Sequence, residues 1–312
     1  MTQLLVVGAN GQVGRELCRS LSTLGDVVAA TRNGTLDTGE ACRVADLSDP
    51  RALAALVEDV APSAVVNAAA YTSVDKAEGD RKAAFVANGE APGALARACA
   101  ASGIPFVHYS TDYVFDGQGA RPYREDDPTS PLGVYGASKL AGEHAVRTAC
   151  ARHFIFRIAW IYGGHGHNFL RTMLRAGAGC DQLRVVADQV GSPTPAALVA
   201  DATAIMLSQV LVGGEHLGGT WHLATSGETS WHGFAEAIFE DASVAGLLAH
   251  VPKVVPITTA DYPMPARRPA YSRLDTSRFH RDFGIDLPDW RPSLRNVITE
   301  LAVQRYCSHL VA

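Results

Sequence analysis

The sequence predicts an α/β fold, a doubly wound parallel sheet with a smaller C-terminal lobe, and three observations predict it. Short apolar runs alternate with helix-period segments through the first half of the chain, which specifies parallel strands joined by crossover helices. The first such run empties into a glycine-rich turn at the mouth of a helix. After Tyr162-Gly163-Gly164 the alternation weakens, and a second, less regular region begins.

Leu4-Leu5-Val6-Val7 reads as a buried parallel strand because it is continuously apolar and stops at Gly8. A helical pattern runs from Val13 to about Leu24 and closes at Gly25. Val27 to Ala30 is the next strand, and Pro50 to Val60 a helix with Ser48 or Asp49 as its cap. Ala64 to Asn67 is a further strand. An Ala-rich helical stretch covers about Ala83 to Ala101, with Pro92 placed to break or kink it. Ile104 to Ser110 is a strand, Asp116 to Pro131 a loop rich in Gly, Pro and Asp, and a helix begins near Tyr135. Phe154 to Ile161 is a strand, and Gly219 to Ala224 is expected to return one more strand to the main sheet. Right-handed crossovers are expected throughout. Residues 252–269 are proline-rich and irregular.

Composition excludes several classes. The chain has 312 residues, 47% hydrophobic and 19% charged, with a net charge of -5 and no Lys/Arg-rich run. No nucleic-acid partner is expected, since that needs a basic face. The six cysteines are scattered without metal spacing and read as reduced thiols of a cytosolic protein. The N-terminus lacks a basic segment, and no apolar run approaches the roughly 18 residues that span a bilayer. The expected location is cytoplasmic, with no membrane partner. His165 and His167 have no carboxylate or thiol partner in sequence and read as loop residues. Trp221, His222, Trp231 and His232 read as core packing and a helix start, Asp75, Lys76 and Glu78 as a charged helix entry, and Glu125, Asp126 and Asp127 as a solvated loop.

The turn after the first strand is G-A-N-G-Q-V-G, with glycines at Gly8, Gly11 and Gly14. Gly8 permits the tight turn, Gly11 lets the backbone approach a pyrophosphate, and Gly14 lets helix and strand pack closely. The helix N-terminus then offers free N–H groups and a positive dipole end to the anion. The pattern predicts a Rossmann-like dinucleotide site. At the end of the second strand an acid favours NAD, whereas an Arg accommodates the 2′-phosphate of NADP. Here stand Thr31-Arg32, so NADPH is the preferred cofactor, with NADH second. Asp46-Leu47 follows the next short strand, where an adenine-contacting pair sits. The sheet domain then covers 1–165 plus roughly 190–225, and the lobe covers 166–189 and 226–312 over the strand C-termini.

Three pieces form the candidate catalytic set. Ser110-Thr111-Asp112 follows a strand, at the sheet edge where ligands bind in this architecture. Tyr135 and Lys139 are spaced i,i+4 at a helix start, on one face. Asn67-Ala68-Ala69-Ala70 ends another strand with small residues that let a flat ring approach. A free Tyr has a pKa of about 10, and a neighbouring ammonium is expected to lower it. Tyr135 then serves as general acid to a carbonyl oxygen, Lys139 holds the nicotinamide ribose hydroxyls, and Thr111 orients the carbonyl.

With these motifs the chain resembles the extended short-chain dehydrogenase/reductase superfamily. V-N-A-A-A-Y-T-S-V-D-K-A-E (Val66 to Glu78), H-Y-S-T-D-Y-V-F-D-G (His108 to Gly117), S-P-L-G-V-Y-G-A-S-K-L-A-G-E (Ser130 to Glu143), F-R-I-A-W-I-Y (Phe156 to Tyr162), G-S-P-T (Gly191 to Thr194) and R-P-A-Y-S-R-L-D (Arg268 to Asp275) narrow it. Together they resemble the dTDP-4-dehydrorhamnose reductase family over nearly the whole chain. The resemblance implies reduction of the C4 ketone of dTDP-4-dehydro-L-rhamnose to dTDP-L-rhamnose, a precursor of bacterial surface polysaccharide. It implies Thr111, Tyr135 and Lys139 as the catalytic set. Gly11, Gln12, Val13, Asp46, Leu47, Ala70, Tyr71, Thr72 and Tyr109 would line the cofactor. Thr111, Asp112 and Trp160 would contact the sugar nucleotide, with Asn168 and Arg268 as weaker candidates, the latter for the diphosphate.

Two departures stand out. Some relatives dimerise around a magnesium ion held by glutamates; Glu16 matches one position, but Ala197 and Arg291 occupy the others, so no magnesium site is expected. Tyr271 stands where the R-P-x-N-S segment usually has Asn. The expected state is a monomer or homodimer. The alternatives are a sugar-nucleotide epimerase or dehydratase, or a non-catalytic cofactor-binding regulatory subunit. Tyr113 after Thr111-Asp112, where a dehydratase usually has an acid, favours simple reduction, and an intact Thr111, Tyr135 and Lys139 argues against the regulatory subunit.

Overall fold

The continuously apolar runs are the buried strands. In the computed structural model, which describes residues 2–213 and 218–311, β1 (Gln3–Val7) leads into α1 (Gln12–Leu21), β2 (Asp26–Thr31), β3 (Arg43–Val44), α2 (Pro50–Val60) and β4 (Ala64–Asn67). Next come α3 (Val74–Gly79), α4 (Arg81–Phe85), a π turn (Val86–Glu90), α5 (Ala91–Ala101), β5 (Phe106–Thr111), a 3₁₀ turn (Asp112–Val114), α6 (Val134–Ala149) and β6 (His153–Ile158). The later part holds β7 (Ile161–Tyr162), α7 (Phe169–Gly177), β8 (Gln182–Val186), β9 (Val190–Gly191), β10 (Thr194–Pro195) and α8 (Ala196–Leu211). It ends with β11 (Gly219–His222), β12 (Thr229–Ser230), α9 (Trp231–Val244), β13 (Lys253–Ile257), α10 (Ser277–Phe283) and α11 (Trp290–Val311). Met1, 214–217 and Ala312 fall within the domain spans drawn from sequence and lie outside the described residues.

Among the described residues seven strands form one parallel sheet in the order β11-β6-β5-β4-β1-β2-β3. The chain reverses its direction of travel across the sheet between β1 and β4, which opens a crevice at the C-terminal strand ends there. One face of the sheet is covered by α1 and α8, with Leu17, Leu21, Val199 and Leu207 fully buried against Leu4 and Phe156. The other face is covered by α2 and α5 through Leu53, Val57 and Leu95. A separate apolar core joins α7, α9 and α11 around Phe234, Ile238 and Leu294. Among the described residues no helix is long and apolar enough to cross a membrane.

Several elements differ from the sequence reading, each for a local reason. The first helix stops at Leu21 because Ser22 and Thr23 turn their hydroxyls back onto the carbonyls of Arg19 and Ser20, at 2.7 and 2.8 Å. Asp49, not Ser48, caps α2, accepting from the N–H groups of Arg51 and Ala52. The helical stretch from Ala83 to Ala101 is interrupted rather than kinked at Pro92. A π turn absorbs the residues before it, and Pro92 opens α5, where its missing N–H is harmless. Phe154 to Ile161 is not one strand: Trp160 adopts φ 48°, and the chain leaves the main sheet to pair Ile161 and Tyr162 with β10. The proline-rich 252–269 region contains β13, which pairs with β8 in a sheet of two strands, so Pro256 breaks no central ladder. Finally, α10 lies in the span assigned to the lobe, yet Phe279 and Phe283 pack on Phe156 and Trp221 in the main core.

Candidate functional site

The crevice is lined by backbone that packs too closely for side chains. Gly8 adopts φ +89°, and a Cβ there would lie 2.7 Å from the Ala69 nitrogen. A Cβ on Gly14 would lie 2.0 Å from the Gly8 carbonyl oxygen. Glycine alone satisfies both. Gly11 is the N-cap of α1 and no side chain caps that helix, so its first N–H groups are available to an anion. The cradle fits the pyrophosphate of a dinucleotide. Val13 is buried in the core under α1, so it has backbone rather than side chain to offer. Gln12 is tied to the later region: its Oε1 accepts from Asn168 Nδ2 at 2.8 Å.

At the ribose end, the Thr31 hydroxyl is consumed by its own turn, bonding Asn33 and the backbone of Thr35 at 3.1 Å. Of the pair Thr31-Arg32, only Arg32 is exposed. The Ser48 N–H and, less strongly, the Arg32 guanidinium hold the Asp46 carboxyl below its usual range. Leu47 packs its side chain toward the core under α2. On the other wall, Ala69, Ala70, Tyr71 and Thr72 follow β4. Asn88 fixes that segment by accepting from Tyr71 N at 2.8 Å and donating to its carbonyl at 3.0 Å. Asn88 also donates to the Ser138 hydroxyl on α6 at 2.9 Å. Sequence reasoning missed Asn88, whose signal is one amide inside an Ala-rich helical run.

The structure brings Thr111, Tyr135 and Lys139 together at the C-terminal end of β5. Glu78 on α3 caps α6 from outside, accepting from Val134 N at 2.8 Å. The Thr111 hydroxyl donates to Asp112 Oδ1 at 3.0 Å, and its proximity holds the Tyr135 phenol down against burial. Burial pushes the Asp112 carboxyl up to about 6. Lys139 is buried, and its Nζ donates to the Tyr109 carbonyl at 2.5 Å. Burial pushes the ammonium down to about 8, opposed by Glu143.

The expected lowering of the Tyr135 pKa by Lys139 is not what the geometry gives. Burial dominates and pushes the phenol up to about 12; Thr111 opposes the rise and Asp112 adds to it. One Lys139 donor goes to the Tyr109 backbone carbonyl. A second correction concerns Tyr109. Its ring lies in the core beside Phe156, with its hydroxyl 2.7 Å from that of Thr203, so the site meets only its carbonyl.

Trp160 stacks face to face on Trp231 with ring centroids 3.5 Å apart. Trp221 and His222, by contrast, are buried in or beside the main core. Asn168 caps α7 and bonds Gln12, so its amide is already engaged within the fold. The Arg268 guanidinium grips Asp75 at 2.7 Å, and Asp75 also accepts from Ala266 N at 3.2 Å. Asp75 is therefore the latch for the 266–269 segment rather than a merely solvated charge. A narrow cleft lies between that segment and α6, lined by Tyr113, Tyr135, Gly133 and Pro269. Tyr271 donates its hydroxyl to Glu228 at 3.3 Å. Glu125 is also not solvated: it accepts from His222 N at 2.9 Å. Among the described residues no group of three or more His, Cys, Asp or Glu side chains could hold a metal ion; Glu16 pairs with Arg19, and Arg291 with Asp241 and Glu240.

Comparison with known proteins covers nearly the whole chain. Residues 1–303 match the family model described as RmlD substrate binding domain. The chain is 48% identical over 308 residues to the dTDP-4-dehydrorhamnose reductase of Burkholderia thailandensis, covering 97% of this chain and 100% of that protein. The crystal structure of a dTDP-4-dehydrorhamnose reductase from Clostridium acetobutylicum superposes with a TM-score of 0.86 at 34% identity, over 96% of this chain and 99% of that one. The enzyme of the same name from Bacillus anthracis, solved in complex with NADP, gives 0.84 at 32% identity, over 96% and 100%. A chain that pairs this fold with this match belongs to the RmlD substrate binding domain family, that of the dTDP-4-dehydrorhamnose reductases, and is a nicotinamide-dependent oxidoreductase.

Proposed function

We propose that this chain reduces the C4 ketone of dTDP-4-dehydro-L-rhamnose to dTDP-L-rhamnose, the last step in making that precursor of surface polysaccharide, with Tyr135 as the general acid. The observation that carries the reading is the convergence of Thr111, Tyr135 and Lys139 beside the glycine cradle. Bound NADPH supplies the hydride, and Gly8, Gly11 and Gly14, with the first N–H groups of α1, hold its pyrophosphate. Arg32 faces the 2′-phosphate and sets the preference over NADH. Lys139 turns its remaining donors to the nicotinamide ribose, and the segment Ala69 to Thr72 flanks the cofactor.

Burial raises the phenol, so it holds a proton to donate at neutral pH. Thr111 orients the ketone oxygen against that phenol. As the carbonyl carbon receives hydride, its oxygen takes the Tyr135 proton, and the buried Lys139 ammonium stabilises the phenolate that forms. Asp112 and Trp160 contact the sugar, and Arg268 meets the diphosphate. Residues 1–165 with 190–225 carry the cofactor, and 166–189 with 226–312, apart from α10 on the main core, form the sugar-nucleotide lobe.

The test is NADPH oxidation followed by absorbance, with and without dTDP-4-dehydro-L-rhamnose, for wild type and Tyr135→Phe. Substrate-dependent oxidation that collapses in the variant supports the reading. A folded wild type that binds NADPH and oxidises none of it with this substrate overturns it.

A further inference from the structure

Glu143 lies one helical turn beyond Lys139 on α6 and is 0% exposed. Both of its oxygens are engaged. Oε1 accepts from Arg157 Nε at 2.9 Å, and Oε2 accepts from Arg157 Nη2 at 2.8 Å and from Arg147 Nη1 at 3.0 Å. Arg157, on β6, is 3% exposed, stacks 5.1 Å from the Phe115 ring centroid and donates to the Glu125 carbonyl at 3.2 Å. One carboxylate thus fastens α6 to β6, one helical turn from Lys139. Removing an ion pair from water costs more than packing apolar side chains of the same volume, so filling the core does not explain this one.

We propose that Glu143, anchored by Arg157, is a positioning residue that keeps the buried Lys139 ammonium charged and seated at the site. The inference rests on the reading of Tyr135 and Lys139 given above. The groups around Lys139 and its helix neighbours Tyr135 and Glu143 can be named element by element. On its own helix are Tyr135, Glu143 and, behind it, Arg147. From β5 come His108, the Tyr109 carbonyl and Thr111; from the 3₁₀ turn, Asp112; from β6, Arg157; and from β11, His222. Burial holds both imidazoles well below their usual range, and the Lys139 charge adds to this at His108 and the Arg157 charge at His222. Glu143 is the carboxylate that opposes the fall of the Lys139 pKa.

The experiment is the pH profile of kcat, with thermal melting, for wild type and three variants. Wild type loses activity as pH rises and Lys139 gives up its proton. In Glu143→Gln this alkaline limb moves down by about one pH unit or more, and kcat at neutral pH falls about tenfold. Glu143→Asp keeps the charge and holds the limb within about half a unit, even where kcat drops. The paired change Glu143→Met with Arg157→Met restores melting toward wild type, since apolar replacement of a buried ion pair is tolerated, but its limb stays low. A folded Glu143→Gln with a wild-type limb would overturn the proposal. So would a Met/Met protein that recovers both melting and limb. If wild type itself turns over no substrate, it is the reading of the site that has failed.

Discussion

Lys139, on the floor of the crevice, is 3% exposed and sits between the Tyr109 carbonyl and the fully buried Glu143–Arg157 pair. Arg268, on the rim, leaves 22% of its side chain in water and leans on Asp75, itself 28% exposed. Both are cations, but they are held differently. The floor shares its partners with the main sheet, so it forms when the protein folds and cannot shift without disturbing the core. The rim joins segments 193 residues apart through one screened ion pair, worth about 0–1 kcal/mol. Chemistry should therefore be most sensitive at the floor, and affinity at the rim.

Substitutions can break or sharpen that contrast. The largest effect belongs to Tyr135→Phe. Loss of a general acid lowers kcat by about 10²–10⁴-fold, while the dissociation constant for NADPH, read by fluorescence titration, stays within about threefold. Retention of more than a tenth of the wild-type kcat would place the acid elsewhere. Gly14→Ala follows. Its Cβ would meet the Gly8 carbonyl oxygen at 2.0 Å, backbone against backbone, so neither side can swing away. The strain costs about 1–3 kcal/mol, lowers Tm by several degrees and weakens NADPH binding together with it. A melting curve that does not move would show that the cradle is not part of the folded floor.

The floor was also the more legible of the two in sequence. Gly8, Gly14, Thr111, Tyr135 and Lys139 sit in short motifs at strand ends, where spacing alone fixes which face a side chain occupies. Glu143 falls in the same i,i+4 register, yet nothing local shows that Arg157, on another strand, comes to meet it. Tyr109 shows the opposite failure. Its place in the motif is correct, but strand alternation turns its ring into the core and leaves only the carbonyl to the site. On the rim, Asp75 and Arg268 each carry an ordinary local meaning, and their pairing arises from tertiary contact alone. Trp160 is similar: its φ of 48° and its stack on Trp231 depend on the lobe that receives it. Likewise β13 was hidden because a proline suggests a break, while its one partner strand leaves that residue tolerable.

Arg268→Gln tests the rim directly. If the guanidinium meets the diphosphate, KM for the sugar nucleotide rises about tenfold or more, the loss of one charged hydrogen bond, with kcat within about threefold. Tm should shift little, because the pair with Asp75 is partly solvated. Equal losses in kcat and kcat/KM would instead make Arg268 part of the floor's chemistry.

The smallest effect, and the one most dependent on conditions, is expected at Arg32. Its side chain is exposed at the end of β2, and the Thr31 hydroxyl beside it is already spent within the turn. If Arg32 meets the 2′-phosphate, Arg32→Asp replaces an attraction with a repulsion and adds an acceptor suited to the free ribose hydroxyl of NADH. The ratio of kcat/KM for NADPH over NADH should then fall about tenfold, near 1.4 kcal/mol. Because the contact lies in water, the shift should shrink as salt rises from about 0.05 to 0.5 M, over which the screening length falls below that of physiological solution. Melting should not change. A ratio that stays fixed at both ionic strengths would remove Arg32 from the cofactor site. A shift that ignores salt would mean that Arg32 is enclosed when NADPH binds, and so that the ribose end of the crevice behaves like the floor.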